Sequence, residues 1–480
     1  MLFWRLRVRR HVSDILTALA VGVIVGIILS FMCRITIFTS AVWLPVAALL
    51  AAMAFANKST VMLGAAFVAG LLLGCCRTTF TVIDMQSTQS LNGQTLTVSG
   101  VVFEDPDIAE DGSFAIKIHK LQIDGRVLLG NIYVGKLTNQ DIKRSDRVTL
   151  KGTLASGFGS FSAAMWRPQI ESVDRPTPGD LARRVRDWFG DIIRQFIDVP
   201  EADLGLGYLL GQRRGLPDSM VEMLKVTGLT HIVVASGYNL TILVRFSRRL
   251  FAKVSRFAAL FFALILVVCF IMTTGVSPSM IRAGLVSALS LLAWYYGRKF
   301  HPVNLLVLVA TTTLLLNPSY VFDLGWLLSF GSFVGVMVFA PLISAYFVGS
   351  KKPNFMVQIL FETVSAQLLV LPILVYFFGQ VSLVSVAANL LVLPTIPIAM
   401  LLVFLTGIGW LAAPLMGGLA TLLLSYHLAV MNYFGSFEWA MLDVHFGIIG
   451  VVVCYALILT LGIYLSKATG YKLRESNVVE

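Results

Sequence analysis

The sequence predicts a mainly α-helical, polytopic membrane protein: a bundle of about 10–12 transmembrane helices with an extracytoplasmic OB-type β-barrel inserted near its start. Three observations carry this. Of 480 residues, 57% are hydrophobic and only 13% are charged, and the mean hydropathy is +0.82, values that soluble domains do not reach. Apolar stretches close to the ~20 residues that cross a bilayer recur along the chain, bounded by Arg, Lys, Pro or Gly. One segment, about 86–175, departs from this composition and alternates polar with apolar residues.

Arg5, Arg7, Arg9 and Arg10 precede the first apolar stretch and place the amino terminus in the cytoplasm by the positive-inside rule. That stretch has no small-residue cleavage site and is soon followed by two more, so it reads as a retained span. Three spans, roughly 14–33, 35–56 and 60–76, make up an amino-terminal segment over 1–80. An odd number of crossings delivers the next segment to the outside.

In 86–175 the runs TLTVSGVVF, FAIKIHKLQI, GNIYVGKL and DRVTLKGTL alternate with period two between Gly, Asp and Asn turns. Five or so short strands in this length fit an OB-type barrel, a shape that often binds oligonucleotides. Ten Lys or Arg stand against ten Asp or Glu here, so the domain is neutral overall. A local basic stripe through Lys143, Arg144, Arg147 and Lys151 is a candidate DNA contact, with Tyr133, Phe158, Phe161 and Trp166 available for stacking or for ordinary packing.

Residues 179–199 carry Leu181, Val185, Trp188, Phe189, Ile192, Ile193, Phe196 and Ile197 at helical spacing, with Arg183, Arg184, Arg186 and Arg194 largely elsewhere. This predicts an amphipathic helix lying on the membrane. The large helical domain follows over 203–470. Its basic clusters, Arg245 to Arg256, Arg298 with Lys299, and Lys351 with Lys352, all read as cytoplasmic. Lys467, Lys472 and Arg474 join them if the Pro-interrupted region 381–413 is one broken crossing.

The five cysteines (33, 75, 76, 269, 454) and six histidines (11, 119, 231, 301, 427, 445) show no metal-ligand or disulfide spacing. No metal, cofactor or catalytic residue is predicted. Net charge of +11 does not by itself indicate nucleic acid, because cytoplasmic loops of membrane proteins collect cations too.

Four polar clusters interrupt the apolar domain. The first, 206–243, brings His231, Ser236, Gly237 and Asn239 into an apolar run. In the second, GVSPSMIRAG over 275–284, Ser277 can cap a helix that starts at Pro278 and carries Arg282 one turn inside. The third, NPSYVFDLGWLLSFGS over 317–332, sets Asp323 at a span entrance. The fourth runs from Glu362 through Gln367 and Asn389 to Pro397. Polar groups in spans face partners or a wet interior, so these nine residues are candidate path-lining groups. Ser236 and Gly237 also suit close helix packing. Arg282 and Asp323 could pair with each other, or Arg282 could meet phosphate. Glu362 is open between packing and lining.

Gly-Leu, His and Ser-Gly at 228–237, Pro-Ser-x-x-Arg-Ala at 278–283, Asn-Pro, Asp-x-Gly and Leu-Ser-Phe over 317–330, and Ala-Asn-Leu-Leu with Pro at 388–394 resemble the ComEC family of competence proteins. With the three-span start and the barrel, the likeness covers nearly the whole chain. It implies an inner-membrane channel that passes single-stranded DNA during transformation, and a separate DNA receptor, helicase motor and nuclease as partners beside membrane lipid. Two departures stand out. Many members have His where this chain has Asn239, and many end in a metallo-β-lactamase-like domain, whereas this chain stops at Glu480. No nuclease activity is therefore expected of it. No GxxxxGK[ST] loop occurs, so a pulling force is expected from a partner. A secondary transporter of a small anionic solute and a membrane-embedded hydrolase are the alternatives. The second is disfavoured because His231 and Ser236 lie five residues apart on a presumed helix and face different directions.

Overall fold

Two Gly-x-x-x-Gly pairs fix the first helix contact. The computed structural model describes residues 10–34, 38, 42–108, 113–123, 126–128, 130–137, 142–176, 179–212, 215–233, 236–349 and 351–471. Arg5, Arg7 and Arg9, and Lys472 and Arg474, on which the expected orientation of the termini leans, lie outside the described residues. The chain divides into two units, Met1–Asp180 with Val303–Trp326, and Leu181–Pro302 with Leu327–Glu480.

In the first unit, α1 (Val12–Cys33), α2 (Trp43–Asn57) and α3 (Thr60–Gln89) follow one another. Gly22 and Gly26 of α1 face Gly70 and Gly74 of α3 so closely that a Cβ at Gly70 would fall on the Leu19 carbonyl, and one at Gly22 on the Phe67 carbonyl. In lipid, where apolar side chains gain nothing by leaving solvent, such backbone approach is what holds helices together. The second element is shorter than the expected 35–56 span and covers 15 residues. The third is longer: at 30 residues it reaches ~45 Å, well past a ~30 Å hydrocarbon layer. Along its polar extension threonine hydroxyls are satisfied one turn back, Thr78 by the Gly74 carbonyl at 2.8 Å and Thr88 by the Asp84 carbonyl at 2.9 Å. The extension carries the chain clear of the apolar layer before the barrel begins.

The barrel strands are β1 (Thr95–Val102), β2 (Asp107–Ile108), β3 (Phe114–Ile123), β4 (Arg126–Leu128), β5 (Ile132–Leu137), β6 (Arg147–Ser156), β7 (Ala163–Trp166) and β8 (Gln169–Asp174). The pairing runs β1–β3–β5–β7–β6 and returns to β1, with β5–β7 parallel and the rest antiparallel. This is the closed five-strand, OB-like barrel that the alternating runs predict, and closure removes free edges. Val98, Ile116, Ile118, Ile132, Val134, Leu150 and Met165 fill it. The third helix is also tied to α11 (Pro302–Leu316), whose last carbonyls, Leu315 and Leu316, accept from the Arg77 guanidinium at 2.8 and 2.9 Å.

The second unit contains α4 (Leu181–Ile193), α5 (Glu201–Leu210), α6 (Asp218–Val226), α7 (Thr230–Val233), α8 (Gly237–Phe251), α9 (Arg256–Thr274) and α10 (Pro278–Tyr295). After α11, α12 (Leu324–Phe347) begins in the first unit and continues into the second. It is followed by α13 (Phe355–Phe378), α14 (Ser385–Val392), α15 (Ile396–Ile408), α16 (Ala413–Gly435) and α17 (Ile448–Thr469). A short ribbon pairs β9 (Gln380–Ser382) with β10 (Met441–Asp443).

The amphipathic helix forms as α4, with Leu181, Val185 and Trp188 exposed along one face while Arg183 and Arg186 are buried. Among the described residues, seven helices are long and apolar enough to cross a membrane, and the pair α14 with α15, bent by 51°, makes up to eight. Two shorter apolar helices, α2 and α11, have 15 residues each, and Gly211 at φ 67°, Pro217 and Gly228 at φ 68° break 203–243 into short helices.

Gly70→Val is expected to break the contact between α1 and α3. Overpacking costs ~1–3 kcal/mol or more, so the yield of folded protein in detergent should fall. Gly64→Val, on the same helix but with nothing within 4 Å, should leave the yield unchanged. Equal yields would refute the glycine contact.

Candidate functional site: two polar junctions between the motifs

Arg282 is placed by a helix start that the sequence spells out. Ser277 caps α10, its hydroxyl accepting from the Met280 amide at 3.3 Å, and Pro278 occupies the first turn. One turn in, Arg282 is 9% exposed. Its Nε donates to the Ser329 hydroxyl at 2.5 Å, and its guanidinium carbon lies 5.2 Å from the Phe333 ring centre, a cation–π arrangement. The guanidinium is also aimed at the start of α8, where a Cβ on Gly237 would come within 2.7 Å of Nη2. Ser236 caps that helix by accepting from the Asn239 amide at 3.4 Å. Three of the four motifs therefore meet at one cation. Among the described residues no carboxylate forms an ion pair with it. A buried guanidinium facing a helix amino terminus, with no acid beside it, is suited to an anion.

The first and fourth motifs meet at a second junction. Gly228, held at φ 68°, leaves no room for a Cβ beside Ser385. The Ser385 hydroxyl accepts from Gln367 Nε2 at 2.6 Å, and its carbonyl accepts from Asn389 Nδ2 at 2.8 Å. His231 is exposed, and its Nδ1 lies 2.9 Å from the Gly228 carbonyl. A carbonyl only accepts, so Nδ1 carries the proton. Glu362 is half-buried and accepts from Gln358 at 2.8 Å on the same helix.

Two of the expected lining residues face inward. Asn239 is fully buried, and its Nδ2 donates to the Tyr208 carbonyl at 2.9 Å and the Ile232 carbonyl at 3.0 Å. Asn389 is buried as well. Asn239 thereby ties α8 to α5 and α7, whereas the Asn389 amide bonds one turn back within α14. Asp323, in the first unit, is engaged there on both oxygens: Oδ1 accepts from the Trp326 amide at 2.8 Å, and Oδ2 from the Ser160 hydroxyl at 3.1 Å. It needs no arginine to be satisfied.

In the barrel, Arg144 leaves the expected stripe. It is buried, and its Nε lies 2.7 Å from Asp180 Oδ2, so it ties the barrel to its exit. Arg147 and Lys151 are exposed on β6, and Lys143 is half-buried. Tyr133, Phe158, Phe161 and Trp166 come together, with ring centres 5.1–6.5 Å apart. Beside them Lys117 contacts Glu104 at 2.6 Å and Asp107 at 3.4 Å. Burial disfavours its charge, but the two carboxylates outweigh burial and raise it above the ordinary lysine value. Sequence reading did not single out Ser329 and Ser385. The available signal was a lone serine inside a quoted motif within an apolar run.

The sequence model of a family described as Competence protein matches residues 208–468, which include both junctions. The chain belongs to the competence protein family. It is similar to ComE operon protein 3 of Bacillus subtilis (strain 168), with 28% identity over 178 residues, 37% of this chain and 22% of the relative. The match thus spans about a fifth of that relative's length. No solved structure matches the chain.

Asn239 gives a test of the packing. Asn239→Ala removes two donors to buried carbonyls, each worth ~1–3 kcal/mol when left unmet, and should lower the unfolding temperature in detergent. Asn239→Asp should be worse, since an ionised carboxylate has no proton for either carbonyl. An Asp variant as stable as wild type would show that the two bonds contribute nothing.

Proposed function

We propose that this chain passes single-stranded DNA across the cytoplasmic membrane during natural transformation. The observation that carries the reading is Arg282: a cation in a membrane bundle, without an acid partner among the described residues, pointing at a helix amino terminus. A phosphate chain cannot cross hydrocarbon unaided, and such a group supplies local compensation along its path. Membership of the competence family supports the same reading.

In this reading both termini are cytoplasmic and the barrel is extracytoplasmic, where Arg147 and Lys151, with Lys143 near them in sequence, meet incoming phosphate. Ser236, Gly237, His231, Gln367 and Glu362 border the route, while Asn239 and Asn389 brace it. The chain acts as a conduit and not as an enzyme. The receptor, the motor and the nuclease are separate proteins. A transporter of a small anion would also employ Arg282 and a bent pair such as α14 with α15. Uptake of labelled DNA in a deletion strain separates the two: internalised label that depends on the chain supports DNA transport, and its absence rejects it.

Arg282→Met tests the residue itself. Replacing a buried charge by an apolar side chain of similar length is often neutral or stabilising when no partner is orphaned. Membrane abundance should therefore hold while transformation falls about tenfold or more, and Arg282→Lys should keep part of the uptake because charge survives and the planar fork does not. Abundance and uptake falling together would make the arginine structural.

A further inference from the structure

The barrel turn between β6 and β7, residues 157–162, is pinned where a membrane helix begins. Asp323 caps α12, an apolar helix of 24 residues, and the same carboxylate accepts from Ser160. Gly159, at φ 56°, runs beside the Phe322 carbonyl, and Phe322 packs edge-on against Phe31 near the end of α1, with ring centres 5.0 Å apart. The turn therefore sits at the level where the apolar layer ends.

Two residues from Ser160, Phe158 is 48% exposed, and it stacks on Trp166, also 48% exposed, at 6.5 Å and 14°. The Trp166 ring lies over Gly135, where a Cβ would meet the ring at 2.5 Å. That close seat holds the indole flat while leaving it half open. Lys136 follows directly. Between Val134 and Leu137, β5 has one residue more than its partner β3, which pairs Ile116 with Val134 and Phe114 with Leu137. This bulge, with Lys136 at φ 60°, returns Leu137 to the core and leaves Lys136 exposed. Arg167, at φ 53° beyond Trp166, is exposed as well.

We propose that this face is a membrane-surface anchor: Phe158 and Trp166 rest in the lipid interface, and Lys136 and Arg167 meet lipid phosphates, so the barrel is held against the bilayer rather than free above it. Aromatic rings with flanking cations are the composition of that zone, and the Ser160–Asp323 bond brings the rings to its depth. Of the nearby carboxylates, Glu104 and Asp107, Lys117 neutralises one, and Lys136 and Arg167 outnumber the charge that is left. The inference rests on the membrane helices and is independent of what the chain transports.

The test uses the full chain in lipid nanodiscs. The chain has eight tryptophans, so the Trp166 signal is taken as the fluorescence lost in Trp166→Phe, a change that keeps a ring over Gly135. That component should lose most of its intensity with lipids brominated close to the headgroup and should not respond to an oligothymidylate in solution. A component quenched by aqueous iodide but not by bromolipid would overturn the proposal. Quenching by the oligonucleotide in place of the lipid would overturn it in favour of a base-stacking platform.

Discussion

A guanidinium inside a membrane bundle constrains everything packed around it. Arg282 cannot be left in hydrocarbon, where even lenient scales assign a central arginine about 2.5–3.5 kcal/mol, and among the described residues it has no acid to neutralise it. The surroundings answer with a hydroxyl from Ser329, the ring of Phe333 and the bare backbone of Gly237. Each answer fixes a helix: α12 must present Ser329 and Phe333 together, which four-residue spacing allows, and α8 must begin at a glycine. The caps Ser236 and Ser277 then follow, because both helices start next to the charge and their first amides need acceptors.

The first unit meets a different demand. Among the described residues its helices carry no buried charge of this kind, and they adhere through bare backbone at Gly22, Gly26, Gly70 and Gly74. Such a contact tolerates no side chain, but it requires no polar group in lipid either. The long third helix, Thr60–Gln89, then leads from this contact to the barrel, and Ser160 with Asp323 closes the loop back to the membrane surface. The barrel is consequently tied down at both a strand entrance and a turn.

Much of this was legible in the sequence where the signal is local. Period-two alternation marked β1, β3, β5 and β6, and Ser277 with Pro278 marked the start of α10. The illegible parts depend on distant partners. Arg144 reads like Arg147 until Asp180, 36 residues on, is seen to hold it. Asn239 resembles a lining residue because composition does not say which side of α8 meets Tyr208. The short helices of 203–243 were hidden for a related reason: a hydropathy average runs through Gly211 and Gly228, but the backbone turns at both.

The break between α14 and α15 joins these themes. A bend of 51° frees carbonyls that water cannot satisfy in an apolar setting. The phenol of Tyr426 donates to the Leu391 carbonyl at 3.3 Å and that of Tyr238 to the Leu393 carbonyl at 3.1 Å, while the Thr395 hydroxyl bonds His427 at 2.7 Å. Tyr238 is the residue after Gly237. The backbone that shelters the Arg282 charge is thus the backbone that aims a donor at the helix break, so neither can move without disturbing the other. The polar groups at the buried Arg282 and those at the bend thus hold one another in place, while apolar side chains such as Leu391, Ile398 and Leu422 are exposed, as groups that meet lipid are.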